Sequence, residues 1–193
     1  MKTYTTTTEK PRLVISYDMY ETSPRSDSNL GYFITVDQKY HSPDDHDTME
    51  SIVRETGQVA TSLEEHIKMI KKEIEDQVQE KVIAIYPVVK YEHGGVVYRL
   101  GTQHGFDYSN NGFYIITDKT QKELGTPKKL FEQVIKGELE TYTSWVNGEV
   151  YQFMLYDEQG NIIDSCGGIY DIEHIKEYLS DEWKDEKLQE YIK

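Results

Sequence analysis

The fold is decided by the stretch SLEEHIKMIKKEIEDQVQE, residues 62–80. Ser62 is a favourable N-cap, and Glu65 three residues later completes a capping box, which marks the start of a helix. Apolar residues then recur at helical spacing, at Leu63, Ile67, Ile70, Ile74 and Val78. This spacing predicts an amphipathic helix over residues 62–80 that packs one face against a core.

Strand patterns surround this helix. Val82–Lys90 is an apolar, β-branched run, and after a glycine turn the run Val96–Leu100 is expected to pair with it as a hairpin. Val150–Tyr156 and Ile162–Cys166 are joined by DEQGN, residues 157–161, which is a strong hairpin signal. Further strands are expected at residues 13–15, 31–36 and 113–117, and further helices at 48–55 and between 118 and 147.

A second amphipathic helix is predicted near residues 171–192. Asp171 is its expected cap, and its apolar stripe consists of Ile172, Ile175, Tyr178, Leu179, Trp183, Leu188 and Ile192. Strands and helices mix along the chain without regular βαβ alternation. The predicted fold class is therefore α+β with a mainly antiparallel sheet.

Length and composition favour one domain over residues 1–193, with residues 1–10 expected to be a frayed end or an edge strand. The chain has no internal repeat and no Gly/Ser-rich or Pro-rich linker. Its single cysteine, Cys166, excludes an internal disulfide framework and favours a reducing compartment. No signal-peptide pattern and no run of about 18 apolar residues is present, so we expect a cytoplasmic protein without a membrane span.

Charge gives the strongest indication of the partner. The chain carries a formal net charge of −14, and residues 137–175 contain eight carboxylates without a lysine or arginine. A folded surface with this field repels nucleic acids and membranes and attracts basic protein surfaces. We therefore expect a basic protein partner and no direct nucleic-acid or membrane contact, with the oligomeric state open. The expected contact acids are Glu138, Glu140, Glu149, Asp157, Glu158, Asp181, Glu182, Asp185 and Glu186.

For the other residues that could carry chemistry, the sequence favours a structural role over a catalytic or metal-binding one. The loop Asp44–Asp47, with His46 in it and His41 nearby, contains metal-ligand types, but it lacks the alternating spacing and closing Glu of an EF-hand, so a solvated loop is favoured. His93 and His104 lie on glycine-flanked loops, with Asp107 near the second, but no nucleophile marks a site for them to activate. We predict no catalytic residue, no metal and no cofactor.

Cys166 and the glycine pairs carry no stronger signal. Negative local charge opposes a reactive thiolate at Cys166, so a buried or inert cysteine at a strand end is expected. Gly94–Gly95 is too short to cradle a phosphate, and no Gly-Lys-Ser/Thr follows it.

Three segments carry a resemblance to a known family. SPRSDSNLG, residues 23–31, resembles the "SPR-x-x-DNLG" signature of a family of uncharacterised proteins from phages and mobile elements, with Ser28 where that family usually has aspartate. GELETY, residues 137–142, is similar to the start of its "GEVETYDQYLTGDVYGF" segment. DEQG at 157–160 and DSCGGIY at 164–170 resemble its "DEDGEEVDSCWGFYG" ending, with glycine in place of the tryptophan. The resemblance covers roughly residues 12–180.

The resemblance implies an accessory protein of a phage or mobile element, and acidic proteins of that kind are often inhibitors of host defence. Our leading hypothesis is a non-enzymatic protein that inhibits a type II CRISPR nuclease or a restriction complex. One alternative is a small metal-dependent enzyme that uses Asp44–Asp47 with His93 or His104. Another is a phage regulatory protein without a defence target.

Overall fold

The computed structural model describes residues 11–37 and 41–193, without the side chain of Glu182. The predicted frayed end at residues 1–10 lies outside the described residues. The chain divides into two compact units, which we call the terminal unit (residues 1–22 and 144–193) and the central unit (residues 23–143). The expectation of a single domain stays a prediction, and each unit is described by itself.

Strands and helices alternate irregularly along the described residues, as the sequence predicts. The strands are β1 (Arg12–Tyr17), β2 (Tyr32–Thr35), β3 (Val82–Glu92), β4 (Val96–Leu100), β5 (Tyr108–Thr117), β6 (Tyr151–Tyr156) and β7 (Ile162–Ile169). The α-helices are α1 (Asp47–Val59), α2 (Leu63–Glu73), α3 (Asp118–Leu124) and α4 (Phe131–Val146). Every pair of named strands is antiparallel, which confirms the α+β class.

The helix predicted over residues 62–80 is confirmed. Ser62 Oγ accepts from the backbone N–H of Glu65 at 3.2 Å, but the Glu65 carboxylate accepts from Thr61 N at 2.7 Å and not from Ser62 N as in the predicted capping box. A π-helical turn, Ile74–Val78, continues α2 and ends at Gln79, whose φ of 62° is left-handed. Ile70 and Ile74 are fully buried, so the apolar stripe is the packed face.

The central unit contains the four-stranded sheet β2-β5-β3-β4, which is covered on both faces. Ile34 and Phe113 lie in one core with Met49 of α1 and Ile70 of α2. Because side chains alternate along a strand, Phe33 points to the opposite face, where its ring lies edge-on to Tyr98 and Tyr142 at centroid distances of 5.1 and 5.7 Å. Tyr142 comes from α4, so that helix covers the second face.

The terminal unit contains the three-stranded sheet β1-β6-β7. Leu13, Ile15 and Phe153 point from one sheet face into a core with Ile175 and Trp183. The last two residues come from the chain after β7. The two ends of this unit in the sequence therefore share one core.

The predicted helix near residues 171–192 is wrong as a continuous helix. The structure has three 3₁₀ helices instead, Ile172–Glu177, Asp181–Trp183 and Leu188–Tyr191. Ser180 and Lys187 have extended ψ angles of 163° and 93°, which interrupt the chain twice. The end of the segment instead runs beside β1, where the Lys193 N–H donates to Ile15 O at 2.9 Å. The apolar stripe still indicates the buried face, since Ile172, Ile175, Leu179, Trp183 and Leu188 are buried.

No helix among the described residues is long and apolar enough to cross a membrane.

Candidate functional site

Arg25 is the centre of a hydrogen-bond network in the central unit. Its Nε and Nη2 bind the two Asp44 carboxylate oxygens at 2.8 and 2.7 Å, a bidentate arrangement. Nη1 donates to Asn29 Oδ1 at 2.8 Å and to Glu138 Oε2 at 2.9 Å, and Nη2 also donates to Gly31 O at 2.7 Å. All five guanidinium donors are therefore used, and the side chain is only 3% exposed.

Glu138 and Tyr114 complete this network. Glu138 Oε1 accepts from Leu30 N at 2.9 Å, and its Oε2 accepts from the Tyr114 hydroxyl as well as from Arg25. The same hydroxyl accepts from Gly31 N at 2.9 Å. Burial, followed by the negative charge of Glu138, raises the pKa of Tyr114 far above its usual range, so the phenol stays protonated.

The network keeps the arginine charged and the loop closely packed. Burial alone would lower the pKa of Arg25, but the bonds and charges of Asp44, with Tyr114 and Glu138, raise it overall. A Cβ at position 31 would lie 2.4 Å from Ile115 O, so only glycine fits there. The loop of residues 23–31 is thus fixed by charge at Arg25 and by close approach at Gly31.

An open cleft of about 560 Å³ lies over this network within the central unit. Its lining includes Tyr32 and His46, whose rings meet edge-on at 5.3 Å, and the charged side chains of Asp45, Lys119 and Glu123. Lys119 Nζ lies 3.5 Å from Tyr32 Oη, so this lysine of the cleft lining contacts the aromatic pair. The cleft offers polar groups of both charge signs around an aromatic pair.

The serine hydroxyls beside this cleft are used within their own turn. Ser23 Oγ accepts from Arg25 N at 3.2 Å, and Ser26 Oγ donates to Ser23 O at 2.6 Å. His46 Nδ1 accepts from Met49 N at 3.4 Å and so caps α1. The geometry pairs neither of these serines with the histidine as a nucleophile and base.

The Asp44–Asp47 loop does not have the geometry of a metal site. Asp44 binds Arg25 through both oxygens and also accepts from Phe33 N at 2.6 Å, while His46 is the cap of α1. Over residues 11–37 and 41–193, no group of three His, Cys, Asp or Glu side chains is placed to hold a metal ion. This arrangement gives the metal-enzyme hypothesis no support.

The other candidate residues are apart from the cleft lining. His93 is exposed and its Nδ1 lies 3.6 Å from Oδ2 of the half-buried Asp107, and His104 is exposed. Cys166 is half-buried against the core of the terminal unit, and its Sγ lies 3.5 Å from Gly167 O. Its packing is that of a small apolar side chain at the edge of a core.

The nine predicted contact acids fall in both units, and only some of them are exposed. Glu138 is internal to the Arg25 network, whereas Glu140, on the same helix α4, is exposed. The other seven lie in the terminal unit, where Glu149, Glu158, Asp181 and Asp185 are exposed.

Three of the terminal acids have internal partners. Asp157 accepts from the N–H groups of Gln159 and Asn161 at 2.9 and 2.8 Å, and these bonds close the β6–β7 turn. Asp181 forms an ion pair with Lys184 at 2.5 Å, and Glu186 accepts from Tyr191 Oη at 3.0 Å. The side chain of Glu182 is outside the described part of the chain.

The terminal unit has the higher density of negative charge. It contains fifteen Asp and Glu against seven Lys and Arg in 72 residues, a net charge of −8. The central unit contains twenty against fourteen in 121 residues, a net charge of −6. Charge per residue is therefore more than twice as high in the terminal unit.

In comparisons with family models, curated proteins and solved structures, the chain has no match. The family resemblance noted in the sequence stays a prediction. What the structure adds is the placement of its motif residues, because Arg25, Asn29, Gly31 and Glu138 all belong to the quoted segments and all join one network.

Sequence reasoning missed this network and one exposed loop. No local pattern around Arg25 indicates that its side chain is buried. An arginine between two separated acidic segments is only a weak indication that it pairs with carboxylates. Tyr17, at the end of β1, and Met19 and Tyr20, just after it, are all exposed. The signal there is the density of large side chains in a polar loop.

Proposed function

We propose that the protein is a non-enzymatic binding protein that presents the carboxylates of its terminal unit to a basic protein surface. The observation that carries the proposal is the net charge of −8 on 72 residues, with Glu149, Glu158 and Asp185 exposed. In the Asp44–Asp47 loop, the alternative candidate, Asp44 and His46 are committed to internal hydrogen bonds. A binding role fits these placements better than catalysis.

The physical basis is complementarity of potential. Exposed carboxylates in water contribute little one at a time, but a surface of one sign accelerates association with an oppositely charged surface. Such binding weakens as salt is added, because the screening length falls to about 8 Å at physiological ionic strength. Nucleic-acid-processing enzymes have extended basic channels, so they are the class of partner that this surface fits best.

We infer further that binding blocks the partner's channel and so inhibits it. The resemblance to phage and mobile-element proteins supports a host-defence target, a type II CRISPR nuclease or a restriction complex. This step rests on association with a family and on charge, and its test is inhibition of a purified enzyme.

The test measures DNA cleavage by a guide-loaded type II CRISPR nuclease and by a restriction complex as the protein is added. We expect inhibition of one of them that weakens when salt rises from about 50 to about 300 mM, since screened charges attract less. The triple variant Glu149→Lys, Glu158→Lys and Asp185→Lys should bind at least about tenfold more weakly.

A matched triple separates the surface from net charge alone. Glu55→Lys, Glu123→Lys and Glu132→Lys reverse three exposed acids of the central unit and change the total charge by the same amount. We expect a smaller loss of binding from this triple. Equal losses from both triples would show that only net charge matters, and inhibition of neither enzyme would exclude these targets.

A further inference from the structure

The end of β1 and the turn that follows it expose three large side chains within four residues. Tyr17 is 45% exposed, Met19 is 80% exposed and Tyr20 is 92% exposed. Single exposed apolar side chains are common on protein surfaces, but a cluster of this kind on a strongly charged unit is not. Tyrosine and methionine are also among the residues enriched at protein interfaces.

The backbone of this loop is held in place within the terminal unit. Asp18 N donates to Val150 O at 2.8 Å, and the Asp18 carboxylate accepts from Tyr20 N and from Gly168 N, each at 3.1 Å. A fixed backbone lowers the conformational entropy that a partner must remove on binding. The exposed side chains are therefore presented from a preorganised turn.

Aromatic rings and carboxylates occur together at this place. Tyr17 pairs with Tyr151 across β1 and β6, with ring centroids 5.3 Å apart. Partial burial raises the pKa of Tyr151, and the neighbouring Tyr17, Glu149 and Asp171 raise it further. The Tyr151 ring, which is tilted against that of Tyr17, is therefore also near two acids, Glu149 and Asp171.

We propose that the Tyr17–Tyr20 loop is the anchor for an arginine-bearing segment of the protein partner. A guanidinium stacks on tyrosine faces and pairs with carboxylates, and its stem packs on methionine, so one side chain matches all three features. The proposal rests on the proposed function, since it names the part of the partner that the acidic unit receives. A second copy of this chain fits less well, because two terminal units of charge −8 repel each other.

The test uses a synthetic peptide of alternating arginine and leucine as the probe, with a lysine–leucine peptide and a glutamate–leucine peptide for comparison. We expect the full chain to bind the arginine peptide most tightly in calorimetric titration, the lysine peptide less tightly and the glutamate peptide not at all. The variant Met19→Ser with Tyr20→Ser should weaken binding of the arginine peptide at least about tenfold, the scale of lost interface anchors.

Phe106→Ser is the matched control, because Phe106 is a fully exposed aromatic residue of the central unit. It should leave binding of the arginine peptide unchanged, and circular dichroism should show that both variants remain folded. Equal binding by the double variant and the control, equal affinity for the arginine and lysine peptides, or no binding of the arginine peptide would overturn the proposal.

Sedimentation of the free protein tests whether a second copy of this chain binds the Tyr17–Tyr20 loop instead. A dimer that Met19→Ser with Tyr20→Ser dissociates would assign the loop to a second copy and overturn the proposal. The proposed function has its own readout, inhibition of a purified enzyme. If the peptide test fails but the protein still inhibits the enzyme, only the proposal that the Tyr17–Tyr20 loop is an anchor is overturned. If the peptide binds but neither enzyme is inhibited, only the proposed enzyme target is overturned.

Discussion

In the central unit Asp44 and Glu138 turn their carboxylates inward to one guanidinium, whereas in the terminal unit Glu149, Glu158 and Asp185 are exposed to solvent. The residue types are the same, but their energetic roles differ. A buried carboxylate is stable only with a partner, so its loss leaves an uncompensated charge. An exposed carboxylate is hydrated, so it is free to contribute to binding instead of to stability.

The strongest test of this difference removes the buried cation. Arg25→Ala should lower the free energy of unfolding by about 3–5 kcal/mol, because Asp44 and Glu138 are left partly buried without their counter-ion. Urea unfolding measures the loss. Arg12→Ala is the control from the terminal unit, where Arg12 is exposed with its guanidinium 4.4 Å from the Tyr156 ring centroid, and it should cost about 1 kcal/mol or less. Similar losses from both variants would contradict the distinction between the units.

Two acids on one helix give a finer comparison. Glu138→Ala should cost about 2–3 kcal/mol, since Leu30 N, Arg25 Nη1 and the Tyr114 hydroxyl each lose an acceptor.

Glu140→Ala, two residues along α4 at an exposed position, should change unfolding by no more than about 0.5 kcal/mol. The same urea series compares the two. A large effect at Glu140 with none at Glu138 would reverse the assignment of internal and external acids.

The smallest effect is expected from removing the Tyr114 hydroxyl, whose contribution to the free energy of unfolding depends on pH. Tyr114→Phe should cost about 1–2 kcal/mol near neutral pH, because Gly31 N and Glu138 lose a hydrogen-bond partner. The folded-state pKa of Tyr114 is raised, so its contribution is complete below the unfolded pKa of about 10 and decreases as pH rises above that value. The wild-type protein should therefore lose more stability than the Phe variant as the pH rises above about 10.

Tyr20→Phe removes a hydroxyl from an almost fully exposed ring of the terminal unit. It should leave the unfolding free energy near neutral pH unchanged. Parallel alkaline curves for wild type and Tyr114→Phe would show that Tyr114 is not held in its protonated form.

Local patterns predicted the elements that depend on local causes. Ser62 caps α2 as expected, and the helical spacing of the apolar stripe correctly predicted that Ile70 and Ile74 are buried. Both signals depend on residues within one or two turns of the helix. The strand pair β3 and β4 follows in the same way from two apolar runs and a glycine turn.

Long-range contacts could not be predicted in this way. Arg25 and Glu138 are 113 residues apart, and neither segment contains a pattern that selects the other. For the same reason Glu138 was grouped with exposed acids, since its sequence neighbourhood resembles that of Glu140. The C-terminal segment shows a third case, in which the apolar spacing predicted burial correctly but the bond from Lys193 N to Ile15 O draws the chain out of a helix.

The pairing of β1 with β6 has a consequence for how the protein is made. Arg12 pairs with Tyr156, so β1 leaves the ribosome long before its partner strand has been synthesised. At about 5–20 residues per second the interval is on the order of ten seconds. Every strand pair of the central sheet is contained in residues 23–143, so pairing there can begin during that interval. The order of synthesis therefore allows the sheet of the central unit to pair before the sheet of the terminal unit can close.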